Sequence, residues 1–225
     1  EQVKISNTFT ISPVQRGSVL QISSVNFVPY GIAWDGESHL YATSFYGNSL
    51  SKINTNSLMV NSKTTLPGDS LFTDIAIDRN NGTLYIHRLN STNDPGDGGT
   101  VTVTDKDGNV LNTYVSPAKY YPIGIELVDQ NLIICDNRSS PRQIYISEPS
   151  SGKVWNTLLN PFQEKYGPRG LCYDGERYLY QACTDFTGSS LVATFLIKID
   201  KDNLEQEVDR MPLIGRGGYI NCRGV

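Results

Sequence analysis

Few side chains in this sequence have the type and spacing that catalysis requires. Of the two histidines, His87 closes a short apolar run, Leu84-Tyr85-Ile86, and could act there as a general base. A buried structural histidine is the competing interpretation. No Gly-x-Ser-x-Gly elbow occurs, and Gly215-Arg-Gly-Gly218 lacks the lysine and hydroxyl residue of a phosphate-binding loop. We therefore assign no catalytic residue and favour a protein that is not an enzyme.

Acidic residues recur at comparable places in the repeat described below, and carboxylate oxygens are the ligands that Ca²⁺ prefers. The candidate ligands for a divalent cation such as calcium are Asp74, Glu126, Asp136 and Asp185. The alternative, which we favour, is that these carboxylates cap turns and pair with Arg138 or Arg169. No cofactor is therefore predicted, and a bound calcium ion is kept as the alternative.

The four cysteines have no zinc-binding spacing. Cys183 and Cys222 are expected on the same face of neighbouring repeats, where a disulfide would hold the closing strand against its neighbour. Buried free thiols are the alternative.

Composition excludes two classes of partner. The net charge is -4 and the lysines and arginines are scattered, so no basic surface for nucleic acid is expected. No apolar run reaches the roughly 20 residues of a membrane-spanning helix, so no membrane insertion is expected. The even cysteine count and the glycosylation triplets at Asn81, Asn90 and Asn137 favour a secreted glycoprotein, either extracellular or at the cell surface or periplasm.

The elements that would position these residues come from a repeat. A turn residue, then a glycine or aspartate, then alternating apolar positions recur about every 40–55 residues, a spacing typical of β-propellers. We name this strand a. Its anchor residues are Gly31, Asp74, Gly124, Gly170 and Gly224.

Three more strands follow each full copy of strand a. Strand b begins at Leu40, Leu84, Leu132 and Leu179. Strand c covers 50–53, 101–103, 144–146 and 197–199, and strand d begins at Val60, Val110, Val154 and Val208. Asp-Gly or Asn-Gly dipeptides in three of the a–b turns tolerate the positive φ of tight hairpins.

The N-terminus matches the same pattern, with 9–11 as strand c and 19–22 as strand d. The sequence therefore predicts an all-β, five-bladed propeller of four-stranded antiparallel blades, forming one domain over 1–225. Four blades cover 29–68, 69–118, 119–164 and 165–214; the fifth combines strands c and d from 1–28 with strand a from 215–225. Its strand b is cramped into 2–6, or it has three strands, or the natural chain continues past Val225. A β-sandwich is the alternative fold.

Two blades resemble a known group of propellers. The segments Gly31-Ile-Ala-Trp-Asp-Gly36 with Leu40-Tyr41-Ala42, and Gly170-Leu-Cys-Tyr-Asp-Gly175 with Leu179-Tyr180, resemble the opening motif of blades in the NHL, YncE-like and SMP-30-like group. The resemblance implies the fold; the group includes binding scaffolds, lactonases, lyases and cyclotransferases, so activity stays open. SMP-30-like lactonases hold a metal ion in a cluster of acidic and asparagine side chains.

The d–a and b–c loops are the longest and most irregular segments, so we expect them to form the binding face. Tyrosine and arginine are enriched at binding hot spots, and these loops carry several of each. The predicted binding face consists of Tyr46, His87, Arg88, Tyr120, Tyr121, Asp136, Arg138, Arg142, Tyr166, Arg169, Asp185 and Arg223.

Three functions are compatible with this sequence. The favoured one is a non-catalytic binding or adhesion module that recognises a protein, a glycan or a small ligand through that face. The first alternative is a divalent-metal-dependent hydrolase or lactonase with an acidic cluster at the channel mouth. The second is a structural repeat fragment of a larger surface protein.

Overall fold

The computed structural model describes residues 8–9, 20–21, 29–44, 47–68, 71–89, 98–119, 122–137, 139–163, 168–187 and 191–213. Within them the chain forms four antiparallel four-stranded sheets, which we call blades, each with its strands in chain order. Among these residues no helix has the length and apolar character needed to cross a membrane.

The blades are consecutive in the chain. Blade 1 contains β3 (Pro29–Trp34), β4 (His39–Ser44), β5 (Ser49–Asn54) and β6 (Val60–Thr65). Blade 2 contains β7 (Leu71–Ile77), β8 (Leu84–Leu89), β9 (Gly99–Thr104) and β10 (Val110–Val115). Blade 3 contains β11 (Pro122–Val128), β12 (Asn131–Asp136), β13 (Gln143–Ser147) and β14 (Val154–Leu159). Blade 4 contains β15 (Pro168–Tyr173), β16 (Tyr178–Thr187), β17 (Leu191–Asp200) and β18 (Asn203–Leu213).

The prediction of an all-β propeller with four-stranded antiparallel blades is confirmed, but the count of five is wrong: the part of the chain that the structure describes forms four such blades. In the N-terminal segment, the described residues are β1 (Thr8–Phe9) and β2 (Leu20–Gln21), which pair antiparallel. That pair lies close to the predicted strands c and d of a fifth blade, while the predicted closing strand in 215–225 lies outside the described residues. The pattern of alternating residues predicts that a segment forms an extended strand. It does not predict whether other strands lie beside that segment to complete a four-stranded blade.

The hydrophobic core lies between successive blades. Along a strand, alternate side chains point to opposite faces, so Leu84 and Ile86 pack towards blade 1 while Tyr85 packs towards blade 3. Each fully buried aliphatic side chain contributes about 1.5–3 kcal/mol relative to an exposed one. A third cluster joins blades 3 and 4 and includes Phe162 and Leu171.

Strands a are innermost and pack against each other in the order β3, β7, β11, β15. The approach is close: a methyl group added at Gly31 would lie 2.6 Å from Cα of Asp74, and one added at Gly124 would lie 2.7 Å from the carbonyl oxygen of Arg169. Real Cβ atoms do not come that near to a backbone atom. The anchor glycines are therefore needed for the packing of one blade on the next.

Strands d lie at the outer rim, and each of the first three contacts the following blade. The Tyr114 hydroxyl of β10 donates to the carbonyl oxygen of Pro149 at 2.8 Å, and Thr64 of β6 donates to the carbonyl oxygen of Asp107 at 3.2 Å. The amide of Leu159 at the end of β14 donates to the carboxylate of Glu205 in β18. Neighbouring blades are thus joined at the rim as well as at the axis.

Candidate functional site at the mouth of the propeller axis

A cavity of about 600 Å³ opens where strands a end, on the side opposite the d–a and b–c loops. We call it the axial pocket. It is walled by the ends of strands a and by the a–b turns of blades 2, 3 and 4. Its lining residues are Ile77, Asp78, Arg79, Asn80, Glu126, Leu127, Asp129, Gln130, Tyr173 and Gly175.

Local turn chemistry fixes the three walls. In blade 2 the carboxylate of Asp78 accepts the amide of Asn80 at 2.9 Å. In blade 3 Asp129 and Gln130 have φ of 45° and 70°, which is the backbone of a two-residue hairpin turn. In blade 4 Gly175 has φ of 86°, a conformation that favours glycine. Each turn therefore holds its pocket residues in one defined place.

Arg79 is held by blade 1. Its Nε donates to the carbonyl oxygen of Trp34 at 3.3 Å, and its guanidinium carbon lies 5.6 Å from the centre of the Trp34 ring, within the range of a cation–π contact. The Trp34 side chain is 40% exposed. A methyl group added at Gly175 would lie 3.6 Å from Nη1 of Arg79, so the guanidinium also approaches blade 4.

Glu126 is held by blade 4. Its Oε1 accepts the amide of Leu127 at 2.8 Å and its Oε2 accepts the amide of Tyr173 at 3.1 Å. Strand a is the inner edge of its sheet, so the N–H groups on its axis side have no strand partner and need another acceptor. The Glu126 carboxylate is the acceptor for the N–H of Tyr173. Burial raises the pKa of Glu126 to about 7, while the two N–H groups and the charge of Arg79 act in the opposite direction.

Asp74 lies deeper along the axis. It is 1% exposed, and its Oδ2 accepts the amide of Ile125 in blade 3 at 3.0 Å. Burial raises the pKa of Asp74 well above its usual range, although the amides of Ile125 and Leu171 favour the charged form. The charge of Glu126 adds to the rise, so the two carboxyl groups interact through the strand a packing.

The remaining acidic residues of the axial pocket differ in their partners. Asp129 forms an ion pair of 2.7 Å with Lys201. Asp78 uses one carboxylate oxygen in its own turn. Arg79 and Glu126 line the same cavity, yet no ion pair within 4 Å joins these two described residues. The pocket thus presents both signs of charge at separate points.

The structure brings together only part of the predicted cation site. Asp74 and Glu126 lie near the axis, whereas Asp136 is buried elsewhere, with its Oδ1 accepting the amide of Ser139. The side chain of Asp185 lies outside the described residues. Within the described part of the chain, no group of three or more histidine, cysteine, aspartate or glutamate side chains is arranged to hold a metal ion. The calcium alternative stays a prediction.

Residues of the predicted binding face that the structure describes are engaged in the fold. His87 is 1% exposed, its Nδ1 lies 3.1 Å from the Thr73 hydroxyl, and burial lowers its pKa to about 3, so the ring is neutral at pH 7. Arg88 donates to the carbonyl oxygen of Pro67, and Arg142 donates to that of Asn137. Arg169 is partly buried.

The rest of that face lies outside the described residues: Tyr46, Tyr120, Tyr121, Arg138, Tyr166, Arg223 and the side chain of Asp185. Cys183 is fully buried where blade 4 packs on blade 3, and Cys222 lies outside the described residues. The d–a and b–c binding face and the disulfide both stay predictions.

Sequence reasoning missed the axial pocket because loop length pointed to the opposite end of the propeller. One signal was present. Two residues after the anchor of strand a, the other three blades carry Ala33, Ala76 and Cys172, and blade 3 alone carries a charged residue, Glu126. A carboxylate where the other blades carry a small side chain indicates that the space near the axis can hold a larger, charged side chain.

Comparisons with known proteins bear on the fold alone. No protein-family model and no curated protein matches this sequence. The chain is similar to a Kuenenia stuttgartiensis hydrazine synthase structure with TM-score 0.52 and 13% identity, covering 85% of this chain and 68% of that one. It is similar to a chain of a nidogen/laminin complex with TM-score 0.53 and 17% identity, covering 88% of this chain and 87% of that one. These neighbours are β-propeller proteins, so the comparisons agree with the architecture seen here.

Proposed function

We propose that this propeller is a non-catalytic binding module whose axial pocket holds a small polar ligand, either free or as the end of a protein or glycan. The observation that carries the proposal is the pairing of Arg79 and Glu126 with different neighbouring blades inside one cavity. Neither charge neutralises the other, so both are available to a ligand.

The dimensions support binding. A volume of about 600 Å³ falls within the range of ligand pockets in proteins, which runs from roughly 300 to 1,000 Å³. Arg79 stands on a short hairpin turn and Glu126 on strand β11, and hydrogen bonds already hold both side chains. A preorganised site costs little conformational entropy when it binds.

The non-catalytic part of the proposal is supported by Asp74, which is closed off from solvent between blades and therefore cannot reach a substrate as a general base. Each oxygen of Glu126 accepts one backbone amide, which fixes the carboxylate and leaves each oxygen able to accept a second donor from a ligand. One structural neighbour is a chain of a nidogen/laminin complex, and interaction with a protein is part of the proposal for this chain. The extracellular or cell-surface location stays a prediction.

The test is to screen a fragment library by ligand-observed NMR against the wild-type chain and an Asn80→Trp variant that fills the pocket. Asn80 is exposed, so the indole should occupy the cavity without disturbing the core. Asn56→Trp is the matched control, because Asn56 is an exposed residue on a c–d turn at the same end of the propeller. We expect hits that lose binding in the Asn80 variant and keep it in the Asn56 variant. Equal binding to both variants, or no hits at all, would refute the proposal.

A further inference from the structure

We propose that the axial pocket selects a zwitterionic ligand, an amino acid or a short peptide, with its ammonium group towards Glu126 and Asp78 and its carboxylate towards Arg79. This inference rests on the proposed function and adds the chemical class of the ligand. It follows from three features of the pocket: fixed charge separation, an apolar floor and the balance of charge.

The separation of charge is fixed by the fold. Arg79 is anchored to blade 1 by its bond to the Trp34 carbonyl oxygen and its contact with the Trp34 ring. Glu126 is anchored to blade 4 by the amide of Tyr173. With these anchors in place, the two charges do not form an ion pair with each other. A ligand with one charge of each sign meets both residues where they already stand.

The surfaces between the charges suit the body of such a ligand. Ile77, Leu127 and Tyr173 contribute apolar atoms to the pocket wall, and the Tyr173 hydroxyl is occupied with the carbonyl oxygen of Glu176 at 2.9 Å. An aliphatic or aromatic side chain of the ligand can bury area there. A volume of about 600 Å³ is in the range that holds small ligands, which suits a free amino acid or a short peptide.

The charge balance disfavours ligands of a single sign. Lys201 offsets Asp129, which leaves Asp78 and Glu126 against Arg79. A purely anionic ligand would meet two carboxylates, and a purely cationic ligand would bind beside a guanidinium without pairing it. A ligand with both groups can pair with the acidic side chains and with Arg79 at the same time.

Proton linkage gives an independent readout. The groups around Glu126 are Arg79, Asp74, Asp78 and Asp129, with the Cys172 thiol of β15 also near it. Because burial raises the pKa of Glu126 to about 7, a substantial fraction of it is protonated at neutral pH. An ammonium group favours the ionised form. Binding should therefore release somewhat less than half a proton at pH 7. Affinity should rise from pH 6 to about pH 7, then level off and fall as the α-amino group of the ligand, with a pKa of about 7.7–8.0, loses its own proton.

The experiment is isothermal titration calorimetry of the full chain with leucyl-phenylalanine, its N-acetyl derivative, its C-terminal amide and free phenylalanine. We expect the parent dipeptide to bind at least about tenfold more tightly than either blocked derivative, a difference expected from losing one charged hydrogen bond. Free phenylalanine shows whether the zwitterionic ligand is an amino acid or a peptide. Tighter binding of phenylalanine than of the dipeptide identifies a free amino acid as the ligand, and tighter binding of the dipeptide identifies a peptide.

Variants assign each charge. Arg79→Gln should remove the preference for the parent over the amide, and Glu126→Gln should remove both the preference over the acetylated dipeptide and the proton release. Arg177→Gln is the control, since this exposed arginine lies on the same end of the propeller and pairs with Asp200 outside the pocket.

The outcomes separate this inference from the proposed function. If blocked and parent dipeptides bind equally, or if fragments occupy the pocket and none of these four compounds binds, the zwitterion inference is wrong and the binding module stands. If neither fragments nor these compounds bind, both are wrong.

Discussion

Buried carboxyl groups at the axis act as acceptors for the neighbouring blade. Asp74 receives the amide of Ile125 from blade 3, and Glu126 receives the amide of Tyr173 from blade 4. Each spans from one strand a to the next, where the inner edge of the sheet leaves N–H groups without a strand partner. The same carboxylate–amide hydrogen bond therefore stabilises the packing of blades at Asp74 and forms part of the pocket wall at Glu126.

Replacing Asp74 separates hydrogen bonding from charge. Asp74→Ala should lower the free energy of unfolding by about 2–3 kcal/mol, because it leaves the buried Ile125 amide unsatisfied. Asp74→Asn should cost about 1 kcal/mol or less, since asparagine keeps an oxygen that can accept the Ile125 amide and carries no charge for burial to penalise. Urea denaturation at pH 7 measures both values. Equal losses in the two variants would show that the hydrogen bond is not what Asp74 contributes.

Strands a are the elements whose packing sets the spacing between blades. Blades 1, 3 and 4 have glycine as the anchor, and for Gly31 and Gly124 the atom nearest to an added Cβ is backbone of the following blade. Backbone cannot move aside as the end of a flexible side chain can. The repeat of glycine at this place in the sequence is thus explained by contact between blades and needs no unusual φ.

A substitution at this contact should be more costly than a glycine substitution elsewhere. Gly31→Ala should lower the free energy of unfolding by about 2 kcal/mol or more, because its Cβ would meet Cα of Asp74 at 2.6 Å. Gly47→Ala is the comparison: Gly47 has φ of 94° and nothing within 4 Å of an added methyl group, so it pays only backbone strain of about 1 kcal/mol. Thermal and urea unfolding of both variants provide the measurement. A Gly31 variant no less stable than the Gly47 variant would contradict the close packing.

At the scale of the whole molecule, the described residues place blades 2 and 3 each between two other blades, so both of their faces are packed. Three clusters of buried side chains join blade 1 to 2, 2 to 3 and 3 to 4. Loss of one blade would expose a face that its neighbour has packed against. We therefore expect these blades to unfold together.

The thiol of Cys135 tests that expectation. It is 1% exposed between blades 3 and 4, accepts hydrogen bonds from Gln181 and Asn160, and burial raises its pKa to about 12. Alkylation requires the thiolate and an open interface. Peptide-level mass spectrometry of labelling in low denaturant should give Cys135 an opening free energy equal to that of global unfolding, with the partly buried Cys172 labelling sooner. A clearly lower value for Cys135 would mean that blade 4 detaches alone.

Much of the strand pattern could be predicted from the sequence. The predicted starts of strand d at Val60, Val110 and Val154 agree with the starts of β6, β10 and β14. In blade 4 the prediction of Val208 is late, because Asp200 pairs with Asn203 and a tight turn starts β18 five residues earlier. Turn residues and the alternation of apolar and polar side chains depend on residues that are close together in the chain. A short stretch of sequence is therefore enough to predict the strands.

What only the tertiary structure decided is which residues meet. The sequence by itself determined that this chain is a propeller of repeated antiparallel blades, since each blade carries its own alternation and turns. It did not determine the number of complete blades or the position of the pocket. Arg79, Glu126 and Tyr173 are about 50 residues apart in succession, and they share a cavity only because strands a pack in order around the axis. No local pattern carries the distances between turns of different blades, which depend on packing such as that of Gly31 on Asp74.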